Sequence, residues 1–229
     1  MFGFTYPCIR SHQILYKYQV EFRKGYSTEQ ATLKITDNLK LATDKGQITC
    51  GIFLDLSKAF DTVNHKILLS KPYLYGIRGT PHNWFESYLH NRRRYVKIDS
   101  TKFSYENITY GIPQASTLGP LLFFLYVNDL PNWVDKLSVR SFADDINLFY
   151  SSDNLKQLES VMNRELKQIY NYCALNKLSI NTAKTNYMLV SSSRCYPKIN
   201  ITGIEQKDYI RYLGVYIDKH LNWPHRYNM

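Results

Sequence analysis

The sequence predicts an α+β fold, a sheet of mostly antiparallel strands backed by helices. Three observations carry that expectation. The run 48–56 is nearly continuous in apolar residues, as a central strand covered on both faces should be. The run 139–150 is strand-like too and carries Asp144 and Asp145 near its middle, which places the acidic pair close to the tip of a hairpin. Residues 27–44 and 152–173 repeat apolar side chains at helical spacing.

Taken in order, residues 1–17 mix aromatic and basic side chains without periodicity and are left irregular. Ser27 with Gln30 forms a capping-box pattern ahead of Ala31, Ile35, Leu39 and Ala42, and Asp44-Lys45-Gly46 stops that helix. Asp55 ends the 48–56 strand. Residues 57–70 look helical, with Phe60, Val63, Ile67 and Leu68 on the buried side, and Pro72 should interrupt any continuation. Pro81 opens a helix to Leu89 with Trp84, Phe85, Tyr88 and Leu89 on its apolar side. Residues 94–110 suit a hairpin. Gly111 to Pro120 has loop composition, and Leu118, Leu121, Leu122, Leu125 and Tyr126 then recur at helical spacing until Pro131. A helix capped near Ser152 or Asp153 buries Leu155, Leu158, Met162, Leu166, Ile169 and Cys173. Strands are expected over 186–190 and over 209–217, the latter interrupted by Gly214.

Composition narrows the function. The chain has 229 residues, 44% of them hydrophobic, enough for one large domain or two small subdomains and unlike a disordered tail. Its net charge of +10 favours a polyanionic partner. Among its 20 Tyr and 11 Phe are rings able to stack on bases, though core packing is the commoner use. Cys8, Cys50, Cys173 and Cys195 lack zinc-type spacing and are expected to be reduced, intracellular thiols with no disulfide-linked partner. No secretory signal is recognisable, and the longest apolar run, 121–127, is far short of a membrane span, so no membrane partner is expected.

The chemistry lies in the carboxylates. Asp144 and Asp145 are adjacent like charges between apolar neighbours, a costly arrangement that a bound cation would offset; an Asp-rich turn is the plainer alternative. Asp55, at the end of a second apolar strand, supplies a third. Carboxylates gathered from separate strands suit Mg²⁺, and two such ions about 4 Å apart support in-line displacement at phosphorus. That argues for nucleotidyl transfer or phosphodiester hydrolysis and does not choose between them. Two basic stretches suit phosphates: Arg23 and Lys24 before a helix start, and Arg92, Arg93 and Arg94 leading with Lys97 into a strand. A solvated basic surface is the alternative for both.

Four ordered phrases carry a family resemblance: Phe53-Leu54-Asp55-Leu56-Ser57-Lys58-Ala59-Phe60-Asp61-Thr62-Val63, Tyr75-Gly76-Ile77-Arg78-Gly79, Gly111-Ile112-Pro113-Gln114-Ala115-Ser116-Thr117-Leu118-Gly119-Pro120, and Phe142-Ala143-Asp144-Asp145. With residues 22–28 and 181–184, they resemble the reverse transcriptase (RNA-directed DNA polymerase) of LINE-type, jockey-like non-LTR retrotransposons over residues 18–222. The resemblance implies a right-hand polymerase palm with partial fingers and almost no thumb. It divides the chain into partial fingers (1–50), palm (51–72), a fingers and palm insertion with a hairpin (73–110), palm (111–205), and a palm edge with the start of a thumb (206–229).

It further implies two Mg²⁺ ions, replaceable by Mn²⁺, held by Asp55, Asp144, Asp145 and the carbonyl of Leu56. Phe60 would sit beneath the sugar and reject a 2′-hydroxyl; core packing is its alternative. Gln114 and Ala115 would lie along the nucleotide and template, and Lys184 would protonate the departing pyrophosphate or else be a surface lysine. The implied partners are dNTPs, an RNA template and a DNA primer or their heteroduplex. The family's copying at nicked chromosomal targets implies a nuclear step.

The departures are Ala115 for the usual glycine of a Pro-Gln-Gly loop, Glu21 for another glycine, and Pro72 for a helical leucine. With the missing thumb and N-terminal fingers block, they frame the alternative expectation of an inactive retrotransposon remnant that retains only nucleic-acid binding.

Overall fold

A computed structural model describes residues 16, 27–113, 116, 118–142, 144–192 and 198–221. The chain divides into two compact units. The larger comprises the described parts of Lys17–Ser57, Leu130–Ala174 and Ser179–Met229. The other contains Lys58–Asp129, Leu175–Leu178 and Tyr16.

The first unit is built on a five-stranded sheet of order β6-β7-β1-β8-β9. Its strands are β1 (Ile48–Leu54), β6 (Ser138–Phe142), β7 (Asp145–Ser152), β8 (Asn186–Val190) and β9 (Glu205–Gln206). All neighbours are antiparallel except β8 and β9, so the mixed α+β fold with a predominantly antiparallel sheet is as the sequence predicts. β1 lies centrally because both of its faces are covered. On one face Cys50, Ile52 and Leu54 align with Leu148, Ile146, Tyr187 and Leu189, all at most 4% exposed. On the other, Phe53 and Phe149 pack edge to face at 5.7 Å beneath Met188, Val190, Ile35 and Leu39. Each fully buried apolar side chain of this kind contributes roughly 1.5–3 kcal/mol.

Helix α1 (Thr28–Asp44) supplies Ile35 and Leu39 to that face, and it starts as expected: the Ser27 hydroxyl accepts the Gln30 N–H at 3.2 Å. The long helix containing Met162 and Leu166 spans Leu155–Leu175, with its stripe of Leu158, Met162, Leu166, Ile169 and Cys173 buried. Its cap is Asn154, whose side chain accepts from Gln157 N–H; Ser152 instead accepts from Asn154 N–H. Residues 209–217 form two strands, where the sequence suggested one. β10 (Tyr209–Tyr212) and β11 (Val215–Asp218) pair across Leu213 and Gly214, whose φ values of 48° and 86° make a tight two-residue turn. This hairpin contributes Ile210, Tyr212 and Ile217 to the core beside Met188.

In the second unit, the single helix expected over 57–70 is two: α2 (Ala59–Thr62) and α3 (His65–Leu74). The break arises because Val63 and Asn64 are extended and bond another segment: Val63 O accepts from Gly111 N–H at 2.8 Å, and Asn64 bridges Tyr110. Pro72 lies inside α3 and does not stop it. An interior proline costs about 3 kcal/mol. Here that is offset by burial of Leu68, Lys71 and Pro72 and by the Lys71 ammonium, which donates to Tyr126 O and Asp129. Helix α4 (Thr80–Leu89) carries Pro in its first turn and buries Phe85 and Leu89, while Trp84 and Tyr88 are half-buried. The 94–110 hairpin is two short ladders, β2 (Arg93–Arg94) with β5 (Glu106–Asn107) and β3 (Lys97–Ile98) with β4 (Thr101–Lys102). The helix after the loop spans Gly119–Val127 and ends before Pro131, which lies in a 3₁₀ turn, Leu130–Trp133.

No helix among the described residues is long and apolar enough to cross a membrane.

Candidate functional site

The register of the central sheet brings two of the sequence-predicted carboxylates together. Leu54, the last residue of β1, pairs with Ile146, so Asp55, which follows β1, and Asp145, the first residue of β7, lie at the same end of the sheet. Asp55 is anchored through its backbone: its N–H donates to Thr185 Oγ1 at 3.2 Å and its carbonyl accepts from Asn181 N–H at 2.8 Å. Leu56, buried, bridges Ile180. Asp144 occupies the turn between β6 and β7, where Phe142 pairs with Asp145.

Asp55 and Asp145 line one cleft of about 450 Å³ with Phe53, Asn147, Lys184, Asn186, Lys207, Tyr209, Arg211 and Tyr212. Phe53, Asn147 and Asn186 stand at one register level, so they share a face. Lys184 is exposed at the cleft, held by its N–H bond to Asn181 O. Asp145 keeps solvent contact, yet neighbouring protein crowds it: burial, then the charges of Asp144 and Asp55, push its carboxyl up to about 6. The phenol of Tyr212, which also lines the cleft, is pushed up as well, by burial and by the Asp145 charge, with Arg140 opposing.

This donor set has the hard-oxygen chemistry that a divalent cation requires, and the mutual repulsion raising Asp145 is what such a cation would relieve. Among the described residues, no three His, Cys, Asp or Glu side chains are already gathered at metal-binding distance. The fit therefore rests on donor chemistry and electrostatics.

Other expected site residues belong to the second unit. Phe60 is half-buried and stacks on Phe123 at 4.9 Å. Arg92 is half-buried, whereas Arg93, Arg94 and Lys97 are exposed. Arg23, Lys24, Gln114 and Ala115 lie outside the described residues, as do Glu21, Cys8 and Cys195. Cys50 and Cys173 are free and buried; burial pushes both thiols up, that of Cys173 to about 12, so neither is a ready nucleophile.

Sequence reasoning missed the wall formed by Lys207, Tyr209, Arg211 and Tyr212. Its signal was available in the run Tyr209, Ile210, Arg211 and Tyr212, where a basic residue shares a short strand with two aromatic ones. It also missed Asn147, only 2% exposed and two residues beyond Asp145, whose amide nitrogen has no hydrogen-bond partner.

Comparison with known proteins follows the same lines. The family described as reverse transcriptase (RNA-dependent DNA polymerase) matches residues 4–217. A probable RNA-directed DNA polymerase from transposon BS of Drosophila melanogaster is 31% identical over 93% of this chain and 25% of its own length. The RNA-directed DNA polymerase from the mobile element jockey of the same species is 26% identical over 90% of this chain and 24% of its own. The chain thus spans about a quarter of the length of these curated relatives. Among solved structures, apo telomerase from Candida tropicalis superposes with a TM-score of 0.60 at 12% identity, over 96% of this chain and 39% of that one. That likeness shows a shared fold.

Proposed function

The chain belongs to the reverse transcriptase (RNA-dependent DNA polymerase) family, and from that premise we propose that it joins deoxynucleotides to a DNA primer on an RNA template. The observation that carries this reading is the adjacency of Asp55 and Asp145 in one cleft, with the Asp145 carboxyl pushed up to about 6. Asp55, Asp144, Asp145 and the Leu56 carbonyl are the proposed holders of two Mg²⁺ or Mn²⁺ ions. Ions so held supply charge neutralisation at the transferring phosphoryl group and a more acidic primer hydroxyl.

In the proposed reaction the primer 3′-hydroxyl gives its proton to water, its oxygen attacks the α-phosphorus of a dNTP, the bond from that phosphorus to the β-phosphate oxygen breaks, and pyrophosphate leaves. The chain's own residues bind and orient. Lys184, exposed on the same cleft, is proposed to give a proton to the departing pyrophosphate. Lys207 and Arg211 add positive charge to the cleft lining, which is proposed to attract a phosphate backbone. Phe60 is proposed as the ring that excludes a 2′-hydroxyl; its stacking on Phe123 would hold it stiff enough to do so. Gln114 and Ala115 are proposed along the nucleotide and template, and Arg23 and Lys24 near its phosphates.

The test is Mg²⁺-dependent extension of a DNA primer on an RNA template, with Asp144→Asn as matched control. Extension lost in the control supports the reading. The alternative is a remnant that retains only nucleic-acid binding. Salt-sensitive heteroduplex binding without extension would establish that alternative.

A further inference from the structure

We propose that the exposed hairpin of residues 92–108, with the end of α4, is a stacking platform for single-stranded RNA. Isolated two-stranded hairpins are marginal in water, and this one carries features that make it worse as a folding unit. Lys97 stands directly opposite Lys102, a like-charge cross-strand pair that disfavours pairing. Tyr95 and Tyr105 are 43% and 62% exposed. Such features are accounted for by a ligand that is both anionic and flat-faced.

The geometry is specific to that chemistry. The Tyr95 and Tyr105 rings meet edge to face at 5.1 Å, and Lys102 Nζ lies 5.5 Å from the Tyr95 ring centre. The two ladders are out of step by one residue: Arg94 pairs with Glu106, but Lys97 pairs with Lys102. Between them, residues 95 and 96 face residues 103, 104 and 105. That bulge lets Tyr105 reach Tyr95. Just before the hairpin a second aromatic and cationic group continues the pattern. Trp84 stacks on Tyr88 at 5.9 Å, and the Arg92 guanidinium lies 5.1 Å from the Tyr88 ring. Alternating rings and cations are what a sequence-tolerant single strand binds, bases on rings and phosphates on cations.

Charge selects this occupant over two others. A second copy pairing edge to edge would set Arg93, Arg94, Lys97 and Lys102 against their own kind. A lipid surface would meet a polar tip, since the turn is Asp99-Ser100, with Asp99 at φ 53°. The choice of RNA over DNA rests on the proposed RNA-directed activity.

The experiment is fluorescence anisotropy of a labelled oligouridylate of about 12 nucleotides with the whole chain in EDTA, where no extension occurs. Tyr95→Ala and Tyr105→Ala should each weaken binding by about 5- to 150-fold, and Tyr95→Phe should not. Lys97→Ser and Lys102→Ser should each reduce the slope of log affinity against log salt by about 0.7. An unchanged melting temperature in each variant verifies that the exposed substitutions leave the fold intact. The proposal is overturned if the alanine variants bind normally, if an oligodeoxythymidylate binds more tightly than the RNA, if the substitutions affect only phosphatidylserine vesicles, or if they alter only self-association. Because EDTA silences extension, loss of polymerase activity with hairpin-dependent RNA binding would sink the polymerase reading alone. Extension together with hairpin-independent RNA binding would sink this one alone.

Discussion

Asp55 and Asp145 are neighbours on adjacent antiparallel strands, one leaving β1 and the other opening β7, one step beyond the Leu54 and Ile146 pair. The sheet register, fixed by the two apolar faces of β1, thereby sets the geometry of the candidate site. A one-residue slip would send Asp145 to the opposite face.

The same crowding gives a pH signature. The folded-state carboxyl of Asp145 is raised from 3.8 to about 6, so the folded chain holds that proton more tightly than the unfolded one. Its contribution to stability therefore falls as pH rises from about 4 to about 6 and is flat above that. Asp145→Asn should remove this slope. After discounting for solvent screening of an exposed carboxylate, the gain at pH 8 should be about 1 kcal/mol, roughly 2–4 °C in melting temperature. Thermal melts from pH 4 to pH 8 check it, and parallel curves for the two proteins would refute it.

Glu165 should show the opposite sign. Burial pushes this carboxyl up, but hydrogen bonds from Arg164 and from the Asp135 and Lys136 N–H groups outweigh burial and hold it below its usual range. Its stabilisation is present above the ordinary value of 4.5 and is lost as pH falls through that range. Glu165→Gln should flatten the acid limb of a stability profile and lower stability at pH 7. Urea titrations at pH 3.5 and pH 7 measure both effects.

Gly111 should tolerate no side chain. It has φ 83°, and a Cβ would come within 2.9 Å of Asp61 O. Gly111→Ala should therefore destabilise by about 2 kcal/mol or more. Gly203→Ala is the comparison, with φ 75° but nothing within 4 Å, and should cost about 1 kcal/mol. Equal losses in urea unfolding would show that the Asp61 contact does not matter.

Lys71 is a buried tie in the second unit. Its ammonium, bonded to Asp129 at 2.7 Å and to Tyr126 O, has a side chain 7% exposed. Lys71→Ala should cost about 3 kcal/mol, by removing the bonds to Asp129 and Tyr126 O and opening a cavity. Lys71→Met, which keeps the stem, should cost less. Chemical denaturation of both variants gives the difference.

What the sequence showed of the fold was what its local patterns encode. The apolar faces of β1, the acidic hairpin and the Ser27 cap were legible because each is written in contiguous residues. The split between α2 and α3 was not, because Val63 and Asn64 are held extended by Tyr110 and Gly111, more than forty positions away. The turn between β10 and β11 was hidden for another reason: Leu213 occupies a left-handed position that a leucine does not advertise. Asp55, Asp145 and Lys184 are legible in the sequence and do share a cleft, whereas Arg211 reaches it through that unrecognised hairpin and Lys207 through a backbone bond to Tyr187 O.

The central claim is that Asp55 and Asp145 act together on one phosphoryl transfer. Single-nucleotide incorporation on an RNA template with Mg²⁺ should be measured for the intact chain, for Asp55→Asn, for Asp145→Asn and for the double variant. Residues that work as one unit give non-additive losses. Each single variant should therefore fall to the level of the double variant. Incorporation that persists in either single variant would contradict the account.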